Sequence, residues 1–118
     1  MKVREVVDKL GLTVKAGGEG LDREVTGGYA SDLLSDVMAN AREGDIWVTL
    51  QVHENVVAVA LLTKIAAVIL VGDREPSADT TEKADTEGIP ILSTGMTAFE
   101  TVAILNDLGI RGGRRVGT

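Results

Sequence analysis

The sequence predicts an α/β domain built on a small, mostly parallel sheet flanked by helices, and three observations lead there. Short apolar runs at Asp45-Ile46-Trp47-Val48-Thr49-Leu50, Ala66-Ala67-Val68-Ile69-Leu70-Val71 and Pro90-Ile91-Leu92-Ser93 alternate with helical patterns. The middle run is apolar without alternation, as a central strand covered on both faces requires. A last helical pattern, reaching Leu108, completes the repeating strand-and-helix order. In such sheets ligands collect where the C-terminal ends of the strands meet the helices, so the loops after the three runs are the first places to look for function.

Composition bounds the rest. A chain of 118 residues suits one domain, and 44% hydrophobic residues suffice for a packed core. That core must be aliphatic, because Trp47, Tyr29 and Phe99 are the only aromatic residues. No apolar run reaches the roughly 18 residues of a membrane span, and Met1-Lys2-Val3-Arg4-Glu5 lacks the apolar middle of a signal peptide. Zero cysteines exclude a disulfide framework and a thiolate metal site, and the combination favours a cytoplasmic setting. The net charge of −6 argues against nucleic acid as a partner, since phosphate binding rests on Lys and Arg. Arg111, Arg114 and Arg115 make residues 111–118 a basic tail, expected to be flexible and separate from a domain at 1–110.

Residues 3–10 place Val3, Val6, Val7 and Leu10 at helical spacing, and Gly11 is positioned to stop that helix. Leu12-Thr13-Val14-Lys15 reads as extended. Gly17-Gly18-Glu19-Gly20 demands a turn, read as a hairpin-like connection into a strand at Asp22-Arg23-Glu24-Val25-Thr26. Gly27 and Gly28 then end that strand, and Ser31 or Asp32 caps a helix running to about Asn40. Ile46, Val48 and Leu50 share one strand face, with Trp47 and Thr49 on the other. A buried helix begins near His53, and a polar surface helix spans roughly Asp79 to Glu87 before Gly88. Pro90 suggests an edge strand. Thr97 followed by Glu100 forms a capping box that starts the last helix.

The motif census narrows the chemistry. The sequence contains no G-x-x-x-x-G-K-[ST], no G-x-G-x-x-G after a strand and no G-x-S-x-G. His53 is the only histidine and the acidic residues are scattered, so no metal site, cofactor or catalytic group is expected. What remains is anion-friendly backbone. Gly27, Gly28 and Ser31 precede one helix, although Asp32 would oppose an anion there and a tight strand-to-helix turn is the plainer reading. Ser93, Thr94, Gly95 and Thr97 precede another, and Arg74 adds a guanidinium. These eight residues are the candidate contacts for a nucleotide or small anionic metabolite.

Asp22-Arg23, the run Thr26-Gly27-Gly28-Tyr29-Ala30-Ser31-Asp32-Leu33-Leu34-Ser35-Asp36-Val37-Met38, Gly44-Asp45-Ile46-Trp47-Val48-Thr49 and Ile89-Pro90-Ile91-Leu92-Ser93-Thr94 together resemble the DRTGG-domain family. The resemblance also takes in the Thr97–Thr101 helix start and covers roughly residues 1–110. It implies a fold similar to the N-terminal domain of HPr kinase/phosphorylase, without that enzyme's activity, which resides in a separate P-loop domain. Larger members place the domain beside CBS domains in regulated pyrophosphatases or within phosphate acetyltransferases. The implied role is a non-catalytic regulatory or assembly module, homodimeric and open to a protein partner. A nucleotide or anionic-metabolite sensor is the alternative.

Overall fold

In a computed structural model, residues 1–112 are described. The elements run α1 (Val3–Leu10), β1 (Thr13–Ala16), a 3-10 turn (Gly18–Gly20), β2 (Gly27–Ala30), α2 (Leu34–Asn40), β3 (Asp45–Thr49), α3 (Asn55–Thr63), β4 (Ala67–Leu70), α4 (Ala78–Glu87), β5 (Ile91–Ser93) and α5 (Ala98–Asp107). The strands form one sheet in the order β1-β5-β4-β3-β2, parallel throughout except where β1 runs against β5.

Strand alternation sorts the core into two layers. Ile46, Val48, Ala67, Ile69 and Leu92 point to one face, where they meet Val3 and Val6 of α1 and Leu105 of α5. Trp47, Val68, Leu70 and Ile91 point to the other, against Val37 of α2, Val56, Val57 and Ala60 of α3, and Ala84 of α4. Trp47 is fully buried, and its indole Nε1 donates to the Ser31 carbonyl at 2.8 Å. That bond makes burial of the one tryptophan cheap.

Several local expectations yield to tertiary contacts. Asp22–Thr26 is not a strand. Its carbonyls serve the start of α1: Val3 N donates to Arg23 O at 3.0 Å and Arg4 N to Leu21 O at 2.8 Å, satisfying amides the helix leaves open. The glycine-rich turn therefore makes no hairpin, and β1 pairs with β5 instead. Gly27 and Gly28 lie inside β2, paired with Asp45 and Ile46, rather than after a strand. The following helix starts later than expected, at Leu34, with Leu33 in the capping position. Asp32 caps nothing. Pro90 precedes β5, which is interior rather than an edge strand, and its carbonyl accepts from Val68 N at 2.9 Å. Lacking an N–H, proline is tolerated as the residue that opens such a strand. Of the expected basic tail, residues 113–118 lie outside the described residues. Arg111 and Gly112 dock on β2, with Gly28 N donating to Arg111 O at 3.1 Å and Gly112 bridging Gly28 in parallel.

Gly17 holds the antiparallel edge in place. Its φ is +71°, and an added Cβ would overlap the Ile89 carbonyl. Its N–H also donates to Asp85 Oδ1 at 2.7 Å, tying the end of β1 to α4. Gly11 has a similar φ of +64° but open space around it. Gly17→Ala is expected to lower stability by on the order of 3 kcal/mol or more, against about 1 kcal/mol for Gly11→Ala. Urea denaturation of the two variants checks this, and equal costs would refute the close-packing account.

Candidate functional site

The parallel register brings the ends of β2 to β5 together on one side of the sheet, since Ala30 pairs with Val48, Thr49 with Leu70, and Leu70 with Ser93. The segments that follow these strands form the floor and walls of the expected site. They fall into two knitted pairs.

The first pair joins the ends of β2 and β3. Asp32 Oδ1 accepts from Thr49 Oγ1 at 2.8 Å and from Leu50 N at 2.7 Å. Gln51 Nε2 donates to the Asp32 carbonyl at 2.9 Å, and Gln51 N donates to Thr49 Oγ1 at 3.1 Å. Asp32 is thus a clamp between two strand ends. No local pattern signals that role, because its partners lie 17 and 18 residues away. Ser31 is similarly committed: its Oγ accepts from Leu33 N at 3.2 Å, and its hydroxyl also bonds Asp36. Hydrogen bonds from Ser31, Tyr29 and Asn40 hold the Asp36 carboxyl below the usual aspartate range.

The second pair joins the ends of β4 and β5. Gly72 N donates to Met96 O at 2.8 Å and Asp73 N to Thr94 O at 3.0 Å. Thr94 N is bonded to Leu70 O at 3.0 Å, and Met96 N reaches Thr94 Oγ1 at 3.2 Å. Asp73 adopts a left-handed φ of 59° and lays its carboxylate over Gly95, where an added Cβ would sit 3.3 Å from Oδ1. The start of α5 carries the expected capping box: Thr97 N donates to Glu100 Oε1 at 2.9 Å, and Glu100 N to Thr97 Oγ1 at 3.2 Å. Those contacts draw the Glu100 carboxyl below its ordinary range.

The eight predicted contacts are therefore only partly assembled. Arg74, Thr94, Gly95 and Thr97 share the loops after β4 and β5, with Ser93 buried at the end of β5. Ser31 lies across the sheet at the end of β2. Gly27 and Gly28 sit at the opposite, opening end of β2 and three strand spacings from β5, about 14 Å away laterally. Asp73 precedes Arg74 in the same loop and Glu100 caps α5, so an anion entering here meets carboxylates as well as a guanidinium. Sequence reasoning passed over Thr49, Gln51 and Asp73, which the strand ends bring to this surface. Asp45, at the other end of the sheet, is buried, and desolvation raises its carboxyl above the usual range while it accepts from Arg42 N at 2.8 Å. His53 is exposed two residues before α3. Among the described residues no three His, Cys, Asp or Glu side chains gather into a metal-sized group, and no helix is long and apolar enough to cross a membrane.

A small α/β domain with an internally bonded strand-end surface is the class these features define. The DRTGG domain family matches residues 5–108, and the chain belongs to that family. Among solved structures it is similar to the CBS and DRTGG domains of the regulatory region of Clostridium perfringens pyrophosphatase, crystallised with the activator diadenosine tetraphosphate. The TM-score is 0.69 at 17% sequence identity, over 88% of this chain and 45% of that one. The likeness establishes a shared fold, and this chain spans less than half of that regulatory region's length. No match was found among curated proteins.

The Glu100 contacts make a pH-dependent prediction. A carboxyl whose pKa is lowered on folding contributes stability above its ordinary value of 4.5, and loses it as pH falls through the folded value. Thr97→Ala is expected to cost about 1 kcal/mol at neutral pH. The difference from wild type should narrow below pH 4.5. Denaturant titrations at neutral and acid pH measure it, and a pH-independent difference would count against the reciprocal cap.

Proposed function

We propose that this chain is a non-catalytic regulatory or assembly module that works as a homodimer in the cytoplasm. The observation that carries this is the strand-end surface, where Asp32, Thr49, Gln51, Thr94, Thr97 and Glu100 bond one another and the backbone. Groups spent on structural bonds are poorly placed for proton transfer or nucleophilic attack. Membership of the DRTGG family and the likeness to a domain within a regulatory region support the same reading. Self-association is supported by apolar surface on the two helices that pack together beside the sheet. Leu33 before α2 is 64% exposed and Leu62 of α3 is 69% exposed, with Met38 and Leu61 also uncovered. Side chains of this size in contact with water favour burial against a second surface. A protein partner on the same helices would serve regulation in trans.

Light scattering coupled to size exclusion tests the dimer. At tens of micromolar, the expected mass is twice the 12.4 kDa of one chain. Leu62→Glu is expected to return the protein to a monomer by placing a charge in the contact. A monomeric wild type overturns the homodimer.

A second reading is a sensor of nucleotides or small anionic metabolites at the strand C-terminal ends, through Arg74, Ser93, Thr94, Gly95 and Thr97. The activator in the related regulatory region favours it. Thermal unfolding with diadenosine tetraphosphate, ATP and AMP tests it: a ligand at about 100 times its Kd should stabilise the domain by about 2.7 kcal/mol. Stabilisation abolished by Arg74→Gln supports the sensor, and no stabilisation by any of the three removes it.

A further inference from the structure

A cavity lies at the end of the sheet where the strands begin, opposite the loops considered above. It is an open cleft of about 740 Å³ between the Arg23–Thr26 segment and the C-terminal end of α3. That volume falls within the usual range of small-molecule sites. Leu61 is its exposed apolar side chain, while Ile65 and Ile89 line it from within the core. Two cations face it, Arg23 and Lys64.

Both cations lack a carboxylate partner. The ion pairs among the described residues join the N-terminal ammonium to Glu24, Arg4 to Asp22, and Lys15 to Glu75. Arg23 is half-buried, and its Nη1 reaches only the Ile65 carbonyl at a long 3.5 Å. Because Ile65 follows Lys64, that contact holds the guanidinium beside the backbone that carries the ammonium. Lys64 itself closes α3 in a left-handed conformation, φ 58°, which fixes where its side chain departs. A lysine at this position answers the negative end of the α3 dipole, which accounts for Lys64 but not for Arg23. Two carboxylates also line the cleft. Glu24 is engaged by the N-terminal ammonium at 3.2 Å, and exposed Glu43 forms no ion pair with either cation among the described residues. Two like charges lining one cleft repel one another, and an anion between them reverses the sign of the interaction.

We propose that this cleft binds a small phosphate monoester, its phosphate held between Arg23 and Lys64 and its apolar body against Leu61. Arginine supplies the planar fork that meets two phosphate oxygens, lysine a point charge, and Leu61 selects for an organic substituent over free phosphate. The site is separate from the strand-end loops, and Leu61 adjoins the surface proposed for self-association.

Phenyl phosphate serves as the probe, with inorganic phosphate and phenol as its two halves, in amide-resolved NMR titrations of the full chain. Phenyl phosphate is expected to produce saturable shifts at Arg23, Thr26, Gly44 and Lys64, at lower concentration than either half, and to bind more weakly as ionic strength rises. Arg23→Gln and Lys64→Gln should each weaken it about tenfold, while Lys83→Gln on α4 leaves it unchanged. Absence of saturable shifts up to about 10 mM overturns the proposal. So do shifts confined to residues 93–97, or unaltered affinity in the doubly substituted protein. The wild-type titration locates the site even if a variant fails to fold.

Discussion

Covering both faces of β4 is the constraint on which the remaining architecture depends. Ala67, Val68, Ile69 and Leu70 are all fully buried, and none offers a polar side chain. Removing each larger side chain from water contributes about 1.5–3 kcal/mol, but only if helices lie on both sides of the sheet. The chain meets this by sending α1 and α5 to one face and α2, α3 and α4 to the other. With one tryptophan, one tyrosine and one phenylalanine available, close packing has to come from branched aliphatic residues.

The two ends of the sheet are treated differently. At the C-terminal ends of the strands, short polar bonds join neighbouring loops: Asp32 spans β2 and β3, and the Asp73 and Thr94 backbones span β4 and β5. At the start of α5, Thr97 N donates to the Glu100 carboxylate and Glu100 N to Thr97 Oγ1. This surface is rigid and internally satisfied, with carboxylates distributed across it. At the opening ends, by contrast, a broad cleft remains and two cations line it without ion-pair partners among the described residues. The usual preference of parallel sheets for ligands at the strand C-termini reflects helix N-termini free to receive them. Here a capping box engages two amides at the α5 start and sets the Glu100 carboxylate beside them.

Much of the fold was legible locally because its signals are short-range. The uninterrupted apolar run at 66–71 marks a doubly covered strand, Thr97 and Glu100 mark a helix start, and Gly11 and Gly88 mark helix ends, each in the left-handed conformation such an end requires. The candidate site was less legible. Asp32 reads as a helix cap from its neighbours, yet its carboxylate turns to Thr49 and Leu50. Gly27 and Gly28 read as the end of a strand but open an edge strand, where their pairing with β3 supplies the order that composition does not. Asp22–Thr26 reads as a strand, but its carbonyls are drawn to the open amides of α1.

By itself, the sequence determined the class of fold, the aliphatic character of its core, the helix boundaries that capping and glycine control, and the absence of the familiar nucleotide-binding and hydrolase motifs. Each follows from periodicity or from interactions within about four residues, which a linear chain displays directly. Tertiary structure alone decided that β1 joins β5 rather than a hairpin partner, that Asp32 clamps two strands, and that Arg23 and Lys64, 41 positions apart in the chain, face one cleft. Those outcomes depend on strand order and register. Both are settled by the competition among long-range pairings for a shared core, not by the preferences of any one segment.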